Sequence, residues 1–260
     1  MDKEKLKYLA QDKRYISGIY NYCDRWCERC PQTARCINYA IGIEEFSDPK
    51  TRDINNEAFW KKMSEMMQET LEMLNDMIVS VDVDPEQLIN TSDEDEHAIK
   101  EAAENHFVCR MAREYGDMAQ EWFDGAQDLF IKPEKEISHR MDVNLEPDSI
   151  ADNMDVILWY QHQIYVKLMR AVSGSLEESS SFNDDNYASD SDGSAKVALI
   201  GIDRSIPAWG SMSTTLPGLY ANNIKNILIH LDQLRKNVEE TFPCARKFIR
   251  PGFDNIDLNS

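Results

Sequence analysis

Apolar residues return every three or four positions along most of this chain, and that period limits its fold more than any other feature. From Glu57 onward, Phe59, Met63, Met66, Met67, Leu71, Leu74, Met77 and Ile78 fall on one side of a helix, as a core seam would. The same spacing predicts a long helix over about 97–130, with Ile99, Ala103, Phe107, Met111, Tyr115, Met118, Trp122 and Leu129 inward. "LEPDSIADNM" carries Pro and Asp in starting positions for a helix whose inner face is Met154, Ile157, Leu158, Gln161, Ile164, Tyr165, Leu168 and Val172. "AKVALIGIDRSIPAW" reads as a nearly all-round apolar helix, kinked or ended at Pro207. A last helix over about 219–240 places Ile224, Ile227, Leu228, Leu231, Leu234 and Val238 on one face. Residues 3–30 read as one further helix, with a weak point at Gly18 and an end at Pro31. With only 10 Gly and 9 Pro in 260 residues, and no convincing strand, the expectation is an all-α bundle of about six to seven helices.

The composition changes once. "SGSLEESSSFNDDNYASDSDGS", residues 173–194, holds eight Ser, six Asp or Glu and no basic residue. Such a stretch buries too little to offset its ordering entropy, so a disordered acidic loop is expected there. The segment C-terminal to it is too short for a second core, which predicts a single helical domain over residues 1–260 with the loop inside it. The net charge of -19 argues against general nucleic-acid binding, but it is unevenly spread. Residues 1–40 carry eight basic against five acidic side chains, a net of +3, leaving the rest at 20 against 42, or -22. The N-terminus lacks the apolar core of a signal peptide, and no run approaches the roughly 18 apolar residues of a membrane span. A cytoplasmic protein with reduced thiols is the expectation.

The basic part of the chain contains "YCDRWCERCPQTARC", with four of the six cysteines spaced Cys23-x3-Cys27-x2-Cys30-x5-Cys36. Four thiolates complete a tetrahedral zinc site or a four-iron cluster, since soft sulfur ligands select those metals. The plain alternative is a helix face, because Cys23, Cys27 and Cys30 stand at i, i+4 and i+7. On a straight helix Cys23 and Cys30 are separated by roughly 10 Å of rise. Zinc, which gathers every sulfur at about 2.3 Å, cannot span that without local unwinding. A 4Fe-4S cluster, whose corners take separate cysteines, is therefore the first reading of the site and zinc the second, with a structural or redox role in either case.

"CERCPQTARC" is similar to the Cys-x2-Cys-x5-Cys part of the iron–sulfur site in RecB-like nucleases, over residues 27–36 only. That resemblance implies a cluster role for Cys27, Cys30 and Cys36. It does not extend to the activity, since no nuclease motif on a strand accompanies it. Cys23-x3-Cys27-x2-Cys30 also looks like the radical-SAM signature, whose α/β barrel this chain lacks. With "WYQHQIYVKLMRA", "DGSAKVALIGIDRS" and "FIRPGFD", the whole chain resembles an uncharacterised bacterial all-helical family, to which no activity attaches.

Elsewhere the chemistry is thinner. Lys167, Arg170, Asp203 and Arg204 interrupt the two most apolar helices; they pair across an interface or, with Trp159 and Tyr160, line a small polar pocket. An enzyme or small-ligand binder built on these six residues is the alternative function. A third is a nucleic-acid contact through Arg25, Trp26, Arg29 and Arg35. Glu94/His97 and Glu136/His139 match the Glu-x-x-His of di-iron bundles only in polar connections. "ASDSDGS" lacks the first and last carboxylates of a calcium loop. His106 with Cys109 reads as a boundary histidine beside a core thiol, His162 and His230 as core or boundary residues, and Cys244 as a free thiol. A protein partner fits the cysteine segment, and its identity is not written in the residues.

Overall fold

The structure is a computed structural model that describes residues 3–81, 93–127, 147–180, 190–216 and 218–254. Among these the chain is all-α, without strands, and contains eight α-helices. They are α1 (Lys3–Gln11), α2 (Ile37–Glu45), α3 (Glu57–Val81), α4 (Asp93–Asn105), α5 (Phe107–Gly125), α6 (Pro147–Ser180), α7 (Asp190–Thr215) and α8 (Gly218–Thr241). The chain divides into two compact units. One comprises Met1–His97 with Ile249–Ser260, the other Ala98–Phe248.

In the larger unit α5, α6, α7 and α8 close a ring, each packed against its two neighbours. The apolar period is met most fully on α8, where Ile224, Ile227, Leu231, Leu234 and Val238 are all buried. Tyr160, Ile164 and Leu168 from α6 and Leu199, Ile202 and Trp209 from α7 fill the middle. Trp209 meets Trp122 edge-on at 5.2 Å and donates its Nε1–H to the Tyr115 hydroxyl at 3.2 Å. The tail after α8 buries Phe242, Ala245 and Phe248 and packs a short 3-10 turn, Ala245–Lys247, on α7.

Several expectations are corrected. The predicted helix over 97–130 breaks at His106, which is extended (φ -65°, ψ 138°), so that Phe107 is 42% exposed rather than inward. The acidic loop is shorter than 173–194. Helix α6 runs through Ser180 and α7 begins at Asp190, and the part between, 181–189, lies outside the described residues. Ser191, Gly193 and Ser194 are buried, and a Cβ on Gly174 would stand 2.8 Å from the Ser191 Oγ. Small side chains let the two helices approach closely, which composition alone reads as disorder. Asp190 and Asp192 occupy the first turn of α7, where carboxylates favour a helix N-terminus, and Asp190 pairs with Arg170 at 2.8 Å. Helix α7 also continues past Pro207, whose ring is exposed while Ser205, Ala208 and Trp209 beside it are buried.

The smaller unit is built differently. Its sole deeply buried apolar side chain among the described residues is Ile19, at 1% exposure. The Met-rich stripe of α3 is not a core seam. Phe59, Met63 and Met66 are half-buried, whereas Met67 and Leu71 are 65% and 59% exposed. The C-terminal segment returns to this unit as a turn, with Arg250 bound to Asp254 at 3.0 Å. Gly252 holds a left-handed φ of 75°, and a Cβ there would lie 2.6 Å from Ile16 Cδ1 and 2.9 Å from Ile19 Cδ1. Gly252→Ala is therefore expected to cost this unit about 1–3 kcal/mol through backbone strain and that contact. Hydrogen exchange at α2 read against α8 checks it, and unchanged protection in α2 would refute the wedge.

Candidate metal centre

The segment expected to be a helix through residue 30 is a helix only to Gln11. The reason is local competition for backbone donors. Asp12 accepts the N–H of Arg14 at 2.9 Å, and Asp24 accepts that of Trp26 at 3.2 Å, each drawing the chain into a turn. Gly18 is left-handed (φ 72°) and opens the 3-10 turn Ile19–Asn21. Trp26 (φ -82°, ψ 72°) forms an inverse γ-turn, in which the Cys27 N–H donates to the Arg25 carbonyl at 2.9 Å. Two more 3-10 turns, Cys27–Arg29 and Thr33–Arg35, end at Cys30 and Cys36. Cys36 then caps α2. The Ile16 N–H ties this coil together by donating to the Arg35 carbonyl at 3.0 Å.

These turns bring the four cysteines together, and the i, i+4, i+7 helix face does not exist. Cys23, Cys27, Cys30 and Cys36 all line one hollow of ≈ 20 Å³, walled also by Ile19, Tyr20, Trp26, Tyr39 and Phe253. A wider, more open hollow of ≈ 200 Å³ shares Cys23, Cys27, Cys36, Tyr20, Arg25 and Tyr39 with it. The Gln32 N–H donates to Cys30 Sγ at 3.4 Å, the kind of contact that orients and tunes a ligand sulfur. Burial pushes the Cys27 thiol above its ordinary range, and its neighbours Cys23, Cys30, Cys36 and Glu28 push it further the same way. All six cysteines are free thiols. Among the described residues, no three His, Cys, Asp or Glu groups are gathered tightly enough to hold a metal ion.

Phe253 does not stand out in the sequence as a wall of this site. The Pro251–Gly252 pair before it marks a turn, and that is the available signal; what the turn packs against is not encoded locally. Arg29, exposed beside the cysteines, stacks over Trp26 at 4.2 Å, and Arg35 is also exposed.

The six residues of the alternative site are shared out among separate contacts. Arg170 pairs with Asp190, Arg204 donates to the hydroxyl of buried Tyr160, and Asp203 pairs with Arg246. Trp159 and Lys167 are half-buried. Within the set, Tyr160 and Arg204 meet each other directly, the guanidinium lying over the ring at 5.7 Å. Glu94 and His97 lie on α4, and Glu136 and His139 fall outside the described residues. His162 is exposed, and a ring nitrogen of His230 meets the Met111 carbonyl at 2.7 Å. Cys244 is exposed.

Cys109 is fully buried, and burial pushes its thiol up from 9.0 to about 12. The folded chain thus keeps a proton that the unfolded chain releases near pH 9. The stability this group contributes is whole below that pH and is lost by about 1.4 kcal/mol per pH unit as pH rises towards 12. Cys109→Ala is expected to remove that slope from the pH dependence of urea unfolding between pH 9 and 11. Parallel slopes in variant and parent would refute the assignment.

Fold and site together define an all-α protein with a four-helix ring in one compact unit and, in the other, four thiols lining one hollow. No protein-family model, curated protein or solved structure matches the chain. No described helix is long and apolar enough to cross a membrane.

Proposed function

We propose that Cys23, Cys27, Cys30 and Cys36 hold a metal centre, a 4Fe-4S cluster in the first reading and a zinc ion in the second, with a structural or electron-transfer role. The observation that carries the reading is the convergence of four thiols, from successive tight turns, on one hollow. The thin core of the same unit supports it. With Ile19 alone deeply buried among the described residues, apolar burial contributes little there, and small units of this kind are held by a metal or by cross-links.

Zinc at about 2.3 Å from each sulfur asks for sulfurs about 3.8 Å apart. A cluster, which assigns each thiolate its own iron, tolerates a wider spread of sulfurs than a single ion does. When bound, the group would cross-link the turns and, as a cluster, exchange one electron at a time. Four thiolate ligands leave no open position for a substrate, which favours structure or electron transfer over catalysis, with a protein as the partner.

Metal and acid-labile sulfide analysis with an absorption spectrum, on full-length protein purified without oxygen, tests the reading. About four irons and four sulfides per chain, lost in Cys27→Ser, is the expected result. About one zinc per chain selects the second reading. Absence of either metal from protein made in metal-replete cells overturns both.

A further inference from the structure

A metal centre needs all four thiols of the segment, whereas a disulfide needs two. Cys27 and Cys30 stand as Cys-x2-Cys on a single 3-10 turn, Cys27–Arg29, which Cys30 caps. The Cys30 N–H donates to the Cys27 carbonyl at 3.2 Å and closes that turn, while the Cys27 N–H is fixed on the Arg25 carbonyl at 2.9 Å. A turn closed in this way holds its first and fourth Cα atoms within about 7 Å, and a disulfide asks for about 4.4–6.8 Å. Side chains three apart on a 3-10 turn eclipse each other, and both cysteines line the same hollow. Cys23 and Cys36 lie beyond the γ-turn at Trp26 and the second 3-10 turn, Thr33–Arg35, respectively.

The pair is also within reach of a reagent. Both cysteines are half-buried free thiols, and the two residues between them, Glu28 and Arg29, are exposed. The Gln32 N–H donates to Cys30 Sγ at 3.4 Å, a fixed donor for the thiolate through which thiol–disulfide exchange proceeds.

We propose that Cys27 and Cys30 form a reversible dithiol–disulfide pair, oxidised by a low-molecular-weight disulfide, with Cys30 as the attacking sulfur and Cys27 as the resolving one. The Cys30 thiolate attacks one sulfur of the oxidant, whose S–S bond breaks; one thiolate leaves, and a mixed disulfide remains on Cys30. Cys27, its proton released to solvent, then attacks Cys30 Sγ and expels the second thiolate. The chain gives up two electrons and two protons, and the oxidant becomes two thiols. The proposal needs no metal and does not rest on the metal reading, although the same two sulfurs cannot serve both states at once.

Full-length protein purified without oxygen, reduced, and moved into buffers of rising glutathione disulfide content tests the pair. A chelator in every buffer keeps metal from shielding the thiols, and metal analysis of the same preparation beforehand decides the other reading separately. Free thiols are alkylated in denaturant. Trypsin, cutting after Arg25, Arg29 and Arg35, then places the four cysteines of the segment on separate peptides. The expected result is loss of two of the six thiols, with peptide 26–29 joined to peptide 30–35 and released by dithiothreitol. In Cys27→Ser the reaction should stop at its first step, with glutathione held chiefly on Cys30. Six thiols persisting in excess glutathione disulfide, or a disulfide that joins another pair, overturns the proposal. An adduct in Cys27→Ser held chiefly on Cys23 or Cys36 overturns the part assigned to Cys30.

Discussion

Full-length protein carrying Cys27→Ser and Cys30→Ser is expected to lose its metal and, with it, the folded structure of residues 12–47, while the four-helix ring stays intact. The asymmetry arises from where each unit keeps its apolar surface. The ring buries Tyr115, Tyr160, Ile164, Leu168, Leu199, Ile202, Trp209 and Ile227 at its centre, enough for an independent core. The N-terminal unit leaves Met67 and Leu71 mostly in solvent and buries Ile19 alone to that depth among its described residues. Its coil is held by short-range turns, each worth only about 1 kcal/mol, and ordering one residue costs a similar amount. A structural metal contributes on the order of 10–16 kcal/mol in small zinc domains, which is the size of term such a unit needs. Hydrogen exchange read by mass spectrometry separates the units. Peptides from α2 and the cysteine turns should exchange freely in the variant, and those from α7 and α8 should keep the parent's protection. If the turns stay protected without metal, the staple is refuted and the four thiols are small apolar residues around a hollow.

The second large effect belongs to the ring. Trp209→Ala is expected to destabilise it by about 3–5 kcal/mol, the cost of removing a fully buried aromatic side chain from a packed interior. Trp209 is 0% exposed, packs edge-on against Trp122, lies 6.0 Å from the Phe123 ring, and donates to Tyr115. Tyr115 is itself fully buried, and burial raises its phenol above the ordinary range. Its hydroxyl would lose the indole donor, adding a polar cost to the cavity. Trp209→Phe, which keeps a ring but not the N–H, should lose markedly less. Urea unfolding followed by far-ultraviolet circular dichroism measures both. A loss under about 1 kcal/mol in Trp209→Ala would show that the ring's core lies elsewhere.

Metal binding at the four thiols, as proposed, would couple to pH. The Cys27 thiol is held above its usual range by burial and by its neighbours, so the metal-free fold keeps a proton there that the unfolded chain gives up as pH rises past 9. Metal binding must expel that proton, and affinity should therefore fall as pH is lowered.

Much of this was legible in the sequence. A three-to-four residue period over α6 and α8 encodes helices because it puts apolar groups on one face whatever the partner; most of each face is buried, while Leu158, read as inward, is 50% exposed. The cysteine spacing marked one segment out, and its four thiols line one hollow. Three features escaped the apolar period. The turns at 12–36 exist because Asp12 and Asp24 capture nearby backbone donors, a competition that periodicity does not weigh. Residues 190–194, acidic and small, form a close-packed helix start because α6 presents Gly174 opposite Ser191. The stripe on α3 has a core's spacing without a core's burial. The sequence by itself determined that α3, α5, α6 and α8 are helical and which residues are available as ligands, since both are set by neighbours along the chain. Only the tertiary structure decided that the four cysteines share a hollow and that Phe253 lies in its wall, since each depends on groups brought together across turns or from the far end of the chain.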